Sequence, residues 1–464
     1  MELRIDRQAL VPVVQQIVDA LVSWVRQDTV QPGTRLPSVR QLARENLLSQ
    51  ASVHEACQRL VAQGLLASRN GSSFFVAAAL PPRHGAAGSG GLQGALFDPD
   101  AAEGSQRELK LGCGGLPESW RESDDLGYAI RQVSRTDMAG LFNYSTALGL
   151  PALRQQLSRR LKQFDIEADE NRILTTSGAT HGLDLIVRTL LPPGCCVVVE
   201  SPGYSKLFDL LRLHRIEMVE LPRTPRGPDV DAFQCLLTTH RPCALFVNSA
   251  CHNPTGSNLA PTVAQRLMEL AKEHALLVIE DDVYADFQSP TRPRLAALDA
   301  DVIYLGSFSK TLSSSLRVGF VVAPPPIIAR LSEVKEVTSM GASRFCESVL
   351  ANLLANGAYR KLVQRQRQRL STDMTVTLQA LEDADWSVFG KPAGGLFIWA
   401  RPPLRDYAGL QRLAERCGIR LSSRTAFSPL GLDTDWLRIN VAYASDPKAL
   451  AFFRATALDR PQVS

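Results

Sequence analysis

One lysine stands among serines in the stretch SFSKTLSSSLRVGF, residues 307–320, and an arginine and a glycine follow it. Lys310 is one of only nine lysines among 51 basic residues. A lysine usually belongs to a solvated surface, but in a small polar setting its amine can act as a nucleophile. The nucleophile interpretation requires other residues that hold the compound to which the amine bonds.

Polar residues follow four short apolar runs, which alternate with helical segments from Asn143 onward: CCVVVE, ALFVNS, LLVIEDD and DVIYLGS. Runs rich in β-branched residues are typical of parallel strands that are covered on both faces. The carboxyl ends of such strands meet at one edge of the sheet, where ligands bind. The pattern therefore predicts an α/β domain with candidate site residues at that edge.

A pyridoxal 5′-phosphate (PLP) site needs an amine, a carboxylate for the ring nitrogen, donors for the phenolic oxygen, an aromatic cover and a phosphate cradle. The chain offers a candidate for each need: Lys310 as the amine, Asp281 as the carboxylate, Asn253 and Tyr284 as donors, Tyr204 as the cover, and Gly178, Ala179, Thr180, Ser307, Ser309 and Arg317 for the phosphate. Each signal also has an ordinary alternative, since NPTG is usually a turn, SGA a helix start and an aspartate a surface acid.

In this order the motifs resemble those of fold type I aminotransferases of classes I and II, from about Leu109 to Ser445. The resemblance implies that Arg438 in WLRINVAYASDP binds a substrate carboxylate, although a surface arginine is the ordinary alternative. It also implies four further features: a pocket lined by Gly114 or Gly115, a Tyr144 that reaches the partner's phosphate across a dimer, cis bonds before Pro202 and Pro254, and a small C-terminal α+β lobe beginning at Pro392–Trp399.

The first residues predict a smaller, separate unit. A helix near Val11–Gln27 precedes two segments with capping-box patterns, Ser38 with Gln41 opening Val39–Glu45 and Ser52 with Glu55 inside Ser49–Gln63. Asn70-Gly71 then indicates a hairpin. Three helices followed by a hairpin are the layout of a winged helix-turn-helix. A small helical cap on the larger domain is the alternative.

This unit resembles the DNA-binding domain of the GntR family of bacterial regulators over about eighty residues. The resemblance implies that Ser49–Gln63 is the recognition helix and that Arg40 contacts DNA. Gln50 stands where the family often has arginine, and glutamine favours adenine over guanine. The candidate DNA-contact residues are Arg40, Ser49, Gln50, Ser52, His54, Asn70 and Gly71.

Composition sets the domain boundaries. A chain of 464 residues is too long for one ordinary domain. A stretch rich in Gly, Ala, Pro and Ser predicts a flexible linker over 78–107, between a DNA-binding domain at 1–77 and an aminotransferase-like domain at 108–464. The nine scattered cysteines and seven scattered histidines predict a reduced, cytoplasmic protein with no metal site. No stretch predicts a membrane span.

A GntR-like head joined to an aminotransferase-like body is the arrangement of the MocR subfamily of regulators. The resemblance implies a homodimer that binds DNA near its own or a neighbouring gene and senses an amino acid or amine through PLP, displacing Lys310. Two alternatives stay open: an aminotransferase with a vestigial or autoregulatory head, and a sensor of PLP itself. The chain has HNPTG, as true aminotransferases do, so transaminase chemistry remains open.

Overall fold

The computed structural model describes residues 13–25, 33–62, 66–69, 73–76, 108–121, 123–288, 294–392, 394–404 and 406–458. The chain divides into two compact units, Met1–Gln93 and Gly94–Ser464. The predicted linker at 78–107 lies outside the described residues. The division of the chain into 1–77, 78–107 and 108–464 therefore stays a prediction. No helix in the described ranges is both long and apolar enough to span a membrane.

The first unit is the predicted winged helix-turn-helix. Its elements are α1 (Val13–Val25), α2 (Val39–Glu45), α3 (Gln50–Ala62), β1 (Leu66–Arg69) and β2 (Ser73–Val76). The two strands pair antiparallel, with Leu66 opposite Val76. Apolar side chains at helical spacing, such as Ile17 and Leu21, are fully buried together with Leu42 and Val53. That periodicity explains why a unit this small has a core of its own.

The two predicted capping boxes have different outcomes. Ser38 Oγ accepts the N–H of Gln41 at 3.2 Å, so the first cap is present. The second box, Ser52 with Glu55, is wrong. The third helix begins earlier than the box requires, so Ser49 Oγ accepts the N–H of Ser52 at 3.0 Å, and Glu55 pairs with Arg59 at 2.7 Å instead.

Within the described residues the second unit has an eight-stranded sheet. Its strands are β3 (Ile173–Thr176), β4 (Cys196–Ser201), β5 (Glu217–Thr224), β6 (Gly227–Pro228), β7 (Ala244–Val247), β8 (Leu277–Asp281), β9 (Ile303–Ser307) and β10 (Gly319–Val322), in the order β3-β10-β9-β8-β7-β4-β5-β6. The four apolar runs form β4, β7, β8 and β9, which are parallel neighbours as predicted. Strand β10 lies antiparallel between β3 and β9 and arises from the stretch that follows Lys310.

Helices cover both faces of this sheet. The α-helices that precede the small lobe in this unit are α4 (Glu118–Arg121), α5 (Asp124–Thr136), α6 (Ala139–Phe142), α7 (Pro151–Leu161), α8 (Ala179–Leu190), α9 (Ser205–Leu213), α10 (Val230–His240), α11 (Pro261–Glu273), α12 (Leu295–Leu298), α13 (Pro325–Ser339) and α14 (Arg344–Ala355). Neighbouring strand residues enter opposite cores, as Val278 and Ile279 do. Burial on both faces is why the strand runs are continuously apolar.

A smaller α+β lobe completes the unit. It comprises α15 (Ala358–Asp383), β11 (Ser387–Val388), β12 (Phe397–Arg401), α16 (Tyr407–Arg416), β13 (Leu437–Asn440), α17 (Val441–Ala444) and α18 (Pro447–Leu458). Its strands pair antiparallel in the order β11-β12-β13. The lobe's core contains Leu370 from α15, and it also contains Leu111 and Leu116, which come from the N-terminal end of the unit. The lobe is therefore built from more of the chain than the segment beginning at Pro392.

Candidate functional site

Lys310 and Tyr284 share one backbone carbonyl at the carboxyl edge of the sheet. Lys310 Nζ donates a hydrogen bond to the carbonyl oxygen of Gly114 at 3.0 Å, and Tyr284 Oη donates to the same oxygen at 3.5 Å. The Nζ atom also lies 5.7 Å from the centre of the Tyr284 ring. The two side chains follow the parallel neighbours β9 and β8. The strand order therefore brings the predicted amine and phenol together.

Arg438, on β13, is 5 % exposed. Its Nη1 donates to Asn253 Oδ1 at 2.8 Å, while Nε and Nη2 both donate to the carbonyl oxygen of Gly112, at 3.1 and 2.7 Å. The guanidinium also lies 4.9 Å from the ring centres of both Phe397 and Phe427. A buried cation requires such partners, and a guanidinium presents donors in a fixed fork that suits a carboxylate.

The carbonyl groups that meet these two cations belong to one stretch of backbone, Leu111–Gly115, called here the clasp segment. Asn440 Nδ2 donates to the carbonyl oxygens of Cys113 and Gly115 at 3.0 and 2.7 Å, and the Asn440 N–H donates to that of Leu111 at 2.8 Å. A Cβ atom on Gly112 would lie only 2.1 Å from the backbone nitrogen of Ser422. Glycine is therefore required at 112 by close backbone approach.

Asp281 ends β8, and its Oδ1 accepts the N–H of Val283 at 3.2 Å. Burial raises the pKa of the Asp281 carboxyl to about 6, and the negative charges of Asp282 and Glu200 act in the same direction. The Val283 amide and the Lys310 ammonium group oppose this rise in pKa. A carboxylate with this pKa is ionised at neutral pH and suits a protonated ring nitrogen.

Asn248 is a site residue that the sequence analysis missed. Its Nδ2 donates to the carbonyl oxygen of Asp281 at 2.6 Å, and its Oδ1 accepts the N–H of Asn253 at 2.8 Å. Its own N–H donates to Glu200, which forms a buried ion pair with Arg223. Asn248 thus ties two predicted site residues together. The polar end of the run ALFVNS indicated this region without singling out the residue.

The residues predicted to hold the phosphate lie at the N-terminus of α8. Gly178 has φ +83° and precedes the first helical residue, Ala179. A Cβ atom on Gly178 would lie 2.4 Å from Arg317 Nη2, which donates to the carbonyl oxygen of Ser177 at 3.1 Å. Helix N-terminal amides beside a guanidinium are suited to an anion. His181 was missed, and its Nδ1 accepts the N–H of Ser177 at 3.1 Å.

Further predicted residues lie around this cradle. Ser307 Oγ accepts the N–H of Ser309 at 3.2 Å, and Arg317 Nη1 donates to Ser309 Oγ at 3.5 Å. Thr180 is exposed. Tyr144 is 74 % exposed, and in the described part of the chain no hydrogen bond joins it to the residues of this cradle.

The aromatic cover and the cis bonds have definite positions. Tyr204 is half-buried and precedes α9, three residues after the end of β4. The bonds before Pro202 and Pro254 are both cis, as the resemblance implied.

In the first unit, four candidate DNA-contact residues lie on or beside α3. Ser49 and Ser52 share a hydrogen bond between their hydroxyls at 2.8 Å, Gln50 is exposed, and His54 packs edge-on against Phe74 with ring centres 5.9 Å apart. Arg40 is exposed on α2. The last two candidates, Asn70 and Gly71, lie outside the described residues.

The donor set of the large unit fits PLP. It combines an amine, a carboxylate ionised at neutral pH, a phenol, and a glycine cradle that a Cβ atom would fill beside a guanidinium. These groups lie at the ends of β3, β8 and β9 and at the start of α8. Fold and site together are those of an aminotransferase-like domain that follows a winged helix-turn-helix.

Comparison with known protein families supports the same two domains. Residues 108–452 match the aminotransferase class I and II family, and residues 13–76 match the gntR family of bacterial regulatory proteins. The chain therefore belongs to the aminotransferase class I and II family and carries a GntR-type helix-turn-helix domain before it, a domain type that binds DNA.

Similar proteins include regulators that match most of the chain and an aminotransferase that matches about three quarters of it. The chain is 28 % identical to the uncharacterized HTH-type transcriptional regulator YdfD of Bacillus subtilis, over 94 % of this chain and 93 % of that protein. It is 27 % identical to the probable rhizopine catabolism regulatory protein MocR of Rhizobium meliloti, over 90 % and 87 %. A crystal structure of Pyrococcus horikoshii kynurenine aminotransferase in complex with PMP matches with a TM-score of 0.71 and 26 % identity, covering 76 % of this chain and 92 % of that one. The chain is thus a GntR-type regulator fused to an aminotransferase domain, as the resemblance to the MocR subfamily implied.

The raised pKa of Asp281 leads to a prediction about stability. The native carboxyl keeps its proton to about pH 6, whereas the unfolded one loses it near its ordinary value of 3.8. The native state therefore binds more protons between these values, and stability falls as the pH rises through them. Without PLP, Asp281→Asn should raise the melting temperature at pH 7 to 8, with a gain that shrinks below pH 6.

The matched variant for this experiment is Asp282→Asn. Asp282 forms a buried ion pair with Arg294 at 2.6 Å, so its loss removes this partner from a buried cation and should lower the melting temperature at the same pH values. Thermal melting of both variants at pH 5, 6, 7 and 8 measures the effect. An Asp281→Asn protein less stable than wild type at pH 8 would contradict the desolvation argument.

Proposed function

We propose that this protein is a cytoplasmic transcriptional regulator that binds DNA as a homodimer and senses an amino compound through PLP. In this proposal residues 1–77 bind DNA near the protein's own or a neighbouring gene, 78–107 form the linker, and 108–464 form the sensing body. The observation that carries the proposal is that Lys310 and Arg438 both bind carbonyl groups of the clasp segment. This segment begins four residues after the proposed linker, so it connects the site to the head along the chain.

Each part of PLP has a proposed partner in the body. Lys310 supplies the amine, Asp281 the carboxylate for the ring nitrogen, and Tyr284 and Asn253 the donors for the phenolic oxygen. Tyr204 covers the ring. The phosphate is assigned to the amides of Gly178, Ala179 and Thr180, to Ser307, Ser309 and Arg317, and to Tyr144 of the second copy. The exposure of Tyr144 supports its role across a dimer.

When bound, PLP supplies an aldehyde that bonds to amines and a ring that withdraws electrons from them. Arg438 binds the α-carboxylate of the effector, and its contact with Asn253 fixes the guanidinium between the two lobes. Gly114 and Gly115 line the effector side of the site. Asp281 is ionised above about pH 6 and so holds a proton on the ring nitrogen at neutral pH.

The signal arises from competition for donors. Ligand groups that bind Lys310 and Arg438 remove the donors that hold the carbonyl oxygens of Gly114 and Gly112. The clasp segment then has two arrangements, and the ligand favours the one in which these carbonyls are released. Such a difference in affinity between two states is what a ligand needs to shift an equilibrium.

Fluorescence anisotropy with the gene's upstream region at fixed salt tests the proposal. DNA affinity of the full chain should change when PLP and one of a panel of L-α-amino acids are added together. A change with PLP alone, unaltered by any amino acid, would identify a sensor of PLP.

The complete set of site residues favours a transaminase as the second candidate function. Rapid release of an oxo acid with no DNA binding in any ligand state would replace the regulator by that enzyme.

Lys310→Ala should abolish covalent labelling by PLP and borohydride, because Lys310 is the amine of the site. Intact-mass and peptide mass spectrometry of the full chain measure the label. Lys272→Ala removes an exposed lysine and should leave the labelling unchanged. Label on a different lysine in Lys310→Ala would refute the assignment.

Arg438→Ala should weaken the amino-acid effector by about 30-fold or more, which corresponds to about 2 kcal/mol for a lost charge-assisted pair. PLP affinity should change much less, since the carboxylate belongs to the effector. Titrations followed by the absorbance of PLP measure both constants. Arg401→Ala removes an exposed arginine of the same small sheet and should alter neither. Equal losses of PLP and effector binding in Arg438→Ala would make that residue structural.

Gly112→Ala should uncouple effector binding from DNA binding. The added Cβ atom meets the backbone at Ser422 and displaces the clasp segment permanently. Gly127→Ala, on α5, places its Cβ atom 3.4 Å from a flexible arginine end and should respond to effector as wild type does. Anisotropy of both variants with and without PLP and amino acid measures the response.

Hydrogen exchange of wild-type protein provides a measurement that does not depend on the folding of Gly112→Ala. The Leu109 and Gly112 N–H groups donate to the carbonyl oxygens of Gly418 and Arg420. Exchange at these amides should become faster when PLP and effector bind. If effector changed the DNA affinity of wild-type protein but left hydrogen exchange at these two amides unchanged, the clasp segment would not carry the signal.

A further inference from the structure

Helix α15 carries an exposed basic arc along its first three turns. This arc consists of six exposed side chains with no acid among them: Arg360, Lys361, Gln364, Arg365, Gln368 and Arg369. The opposite side of the same turns is buried, with Tyr359, Leu362 and Leu370 in the core. The first acid of the helix is Asp373. The arc is therefore a solvent-facing surface of one sign.

The charges of α15 are arranged against the stability of the helix. Cations stand in its first turn and acids in its last, the reverse of what the helix dipole favours. Lys361, Arg365 and Arg369 also follow one another at spacings of four residues, where like charges repel. Each contact costs a few tenths of a kcal/mol. Helix formation alone therefore gives no reason for this arrangement.

Most cations of the arc lack a neutralising acid among the described residues, the exception being Arg369, whose charge acts on the Asp373 carboxyl. In the described part of the chain, Arg360, Lys361 and Arg365 form no ion pair or hydrogen bond through their side chains, and Arg369 lies over the Trp120 ring at 5.5 Å. Exposed arginines elsewhere do pair, as Arg188 does with Asp184 at 2.7 Å. The basic arc is thus available to an external anion.

We propose that the basic arc of α15 binds the phosphate backbone of double-stranded DNA. Cations four residues apart advance about 6 Å along a helix, close to the two-base-pair rise of about 7 Å on one strand. Gln364 and Gln368 lie between them and offer amide donors, which phosphate also accepts. This surface goes beyond the proposed function, in which the body senses ligand and joins two heads.

The contact would be independent of base sequence. Backbone contacts fix position and add affinity, whereas base contacts carry the specificity. The first 76 residues hold eight arginines, no lysine and six acids, so the head alone has a small positive excess. A second basic surface on the body would supply phosphate contacts that the head provides only sparsely.

The test is the triple variant Arg360→Gln, Lys361→Gln, Arg365→Gln in the full chain. Anisotropy with the upstream duplex and with an unrelated duplex of equal length, from 50 to 200 mM salt, measures affinity and its salt dependence. The slope of log affinity against log salt should become shallower by about 2 to 3 for each copy of the chain whose arc contacts the duplex, at about 0.9 per lost phosphate contact. Affinity should fall on both duplexes by a similar factor, tenfold or more at low salt.

A matched triple variant removes the same charge elsewhere. Arg188→Gln, Arg266→Gln and Arg412→Gln take away exposed cations that already pair with carboxylates. This control should keep most of the wild-type slope. The melting temperature of the α15 variant should not fall, because its charges oppose the helix dipole. That measurement separates a lost contact from lost folding.

The outcomes separate this inference from the proposed function. If the two triple variants had equal slopes of log affinity against log salt, the proposal that α15 contacts DNA would be overturned. This would hold even if effector still changed DNA affinity. Unchanged DNA binding in the α15 variant would also overturn it and would direct attention to an acidic protein partner. A wild-type chain that binds no DNA at 50 mM salt would overturn both proposals. A shallower slope with no effector response would support the surface and contradict ligand sensing.

Discussion

Arg438 keeps its positive charge almost wholly out of water, and its three guanidinium nitrogens all donate to oxygens of other segments. Removing one partner from a buried charge costs about 3–5 kcal/mol, so the surrounding backbone is held in place by this cation. Gly112 must approach closely enough to accept the hydrogen bonds from Nε and Nη2, and Asn253 accepts the one from Nη1. The small lobe, the clasp segment and the HNPTG turn are thereby tied to one side chain.

The three acids at the end of β8 have side chains on opposite sides of the strand, and their surroundings differ accordingly. Glu280 and Asp282 point to the same side, where Glu280 accepts the N–H groups of Leu295 and Ala296 at 2.9 and 2.8 Å, and Asp282 pairs with Arg294. Asp281 points to the other side, toward the candidate site. Alternation along a strand therefore gives two acids buried structural partners and directs the third toward the candidate site. Burial is the largest cause of the raised pKa of Asp281, and it also raises the pKa of Asp282, although Arg294 lies beside that carboxyl.

The overall charge of +4 conceals a strongly uneven distribution. Buried pairs such as Glu200 with Arg223 contribute nothing to the external field, while the exposed arc of α15 concentrates cations within three turns. A regulator that combines ligand binding with DNA binding has to keep these two kinds of charge apart, since salt screens exposed charges far more than buried ones. In this protein the burial of the ion pairs separates the two kinds of charge.

The sequence by itself determined the two architectures, the four central strands and the positions of Lys310, Asp281 and Tyr284, because apolar periodicity and strand-end motifs are local signals. It also singled out Arg438 through resemblance. Only the tertiary structure decided what these residues contact. Gly112 could not be predicted as a partner of Arg438, nor Asn248 as a partner of Asp281, because these hydrogen bonds join segments 326 and 33 residues apart. Such contacts depend on strand order and backbone approach, which no local pattern encodes.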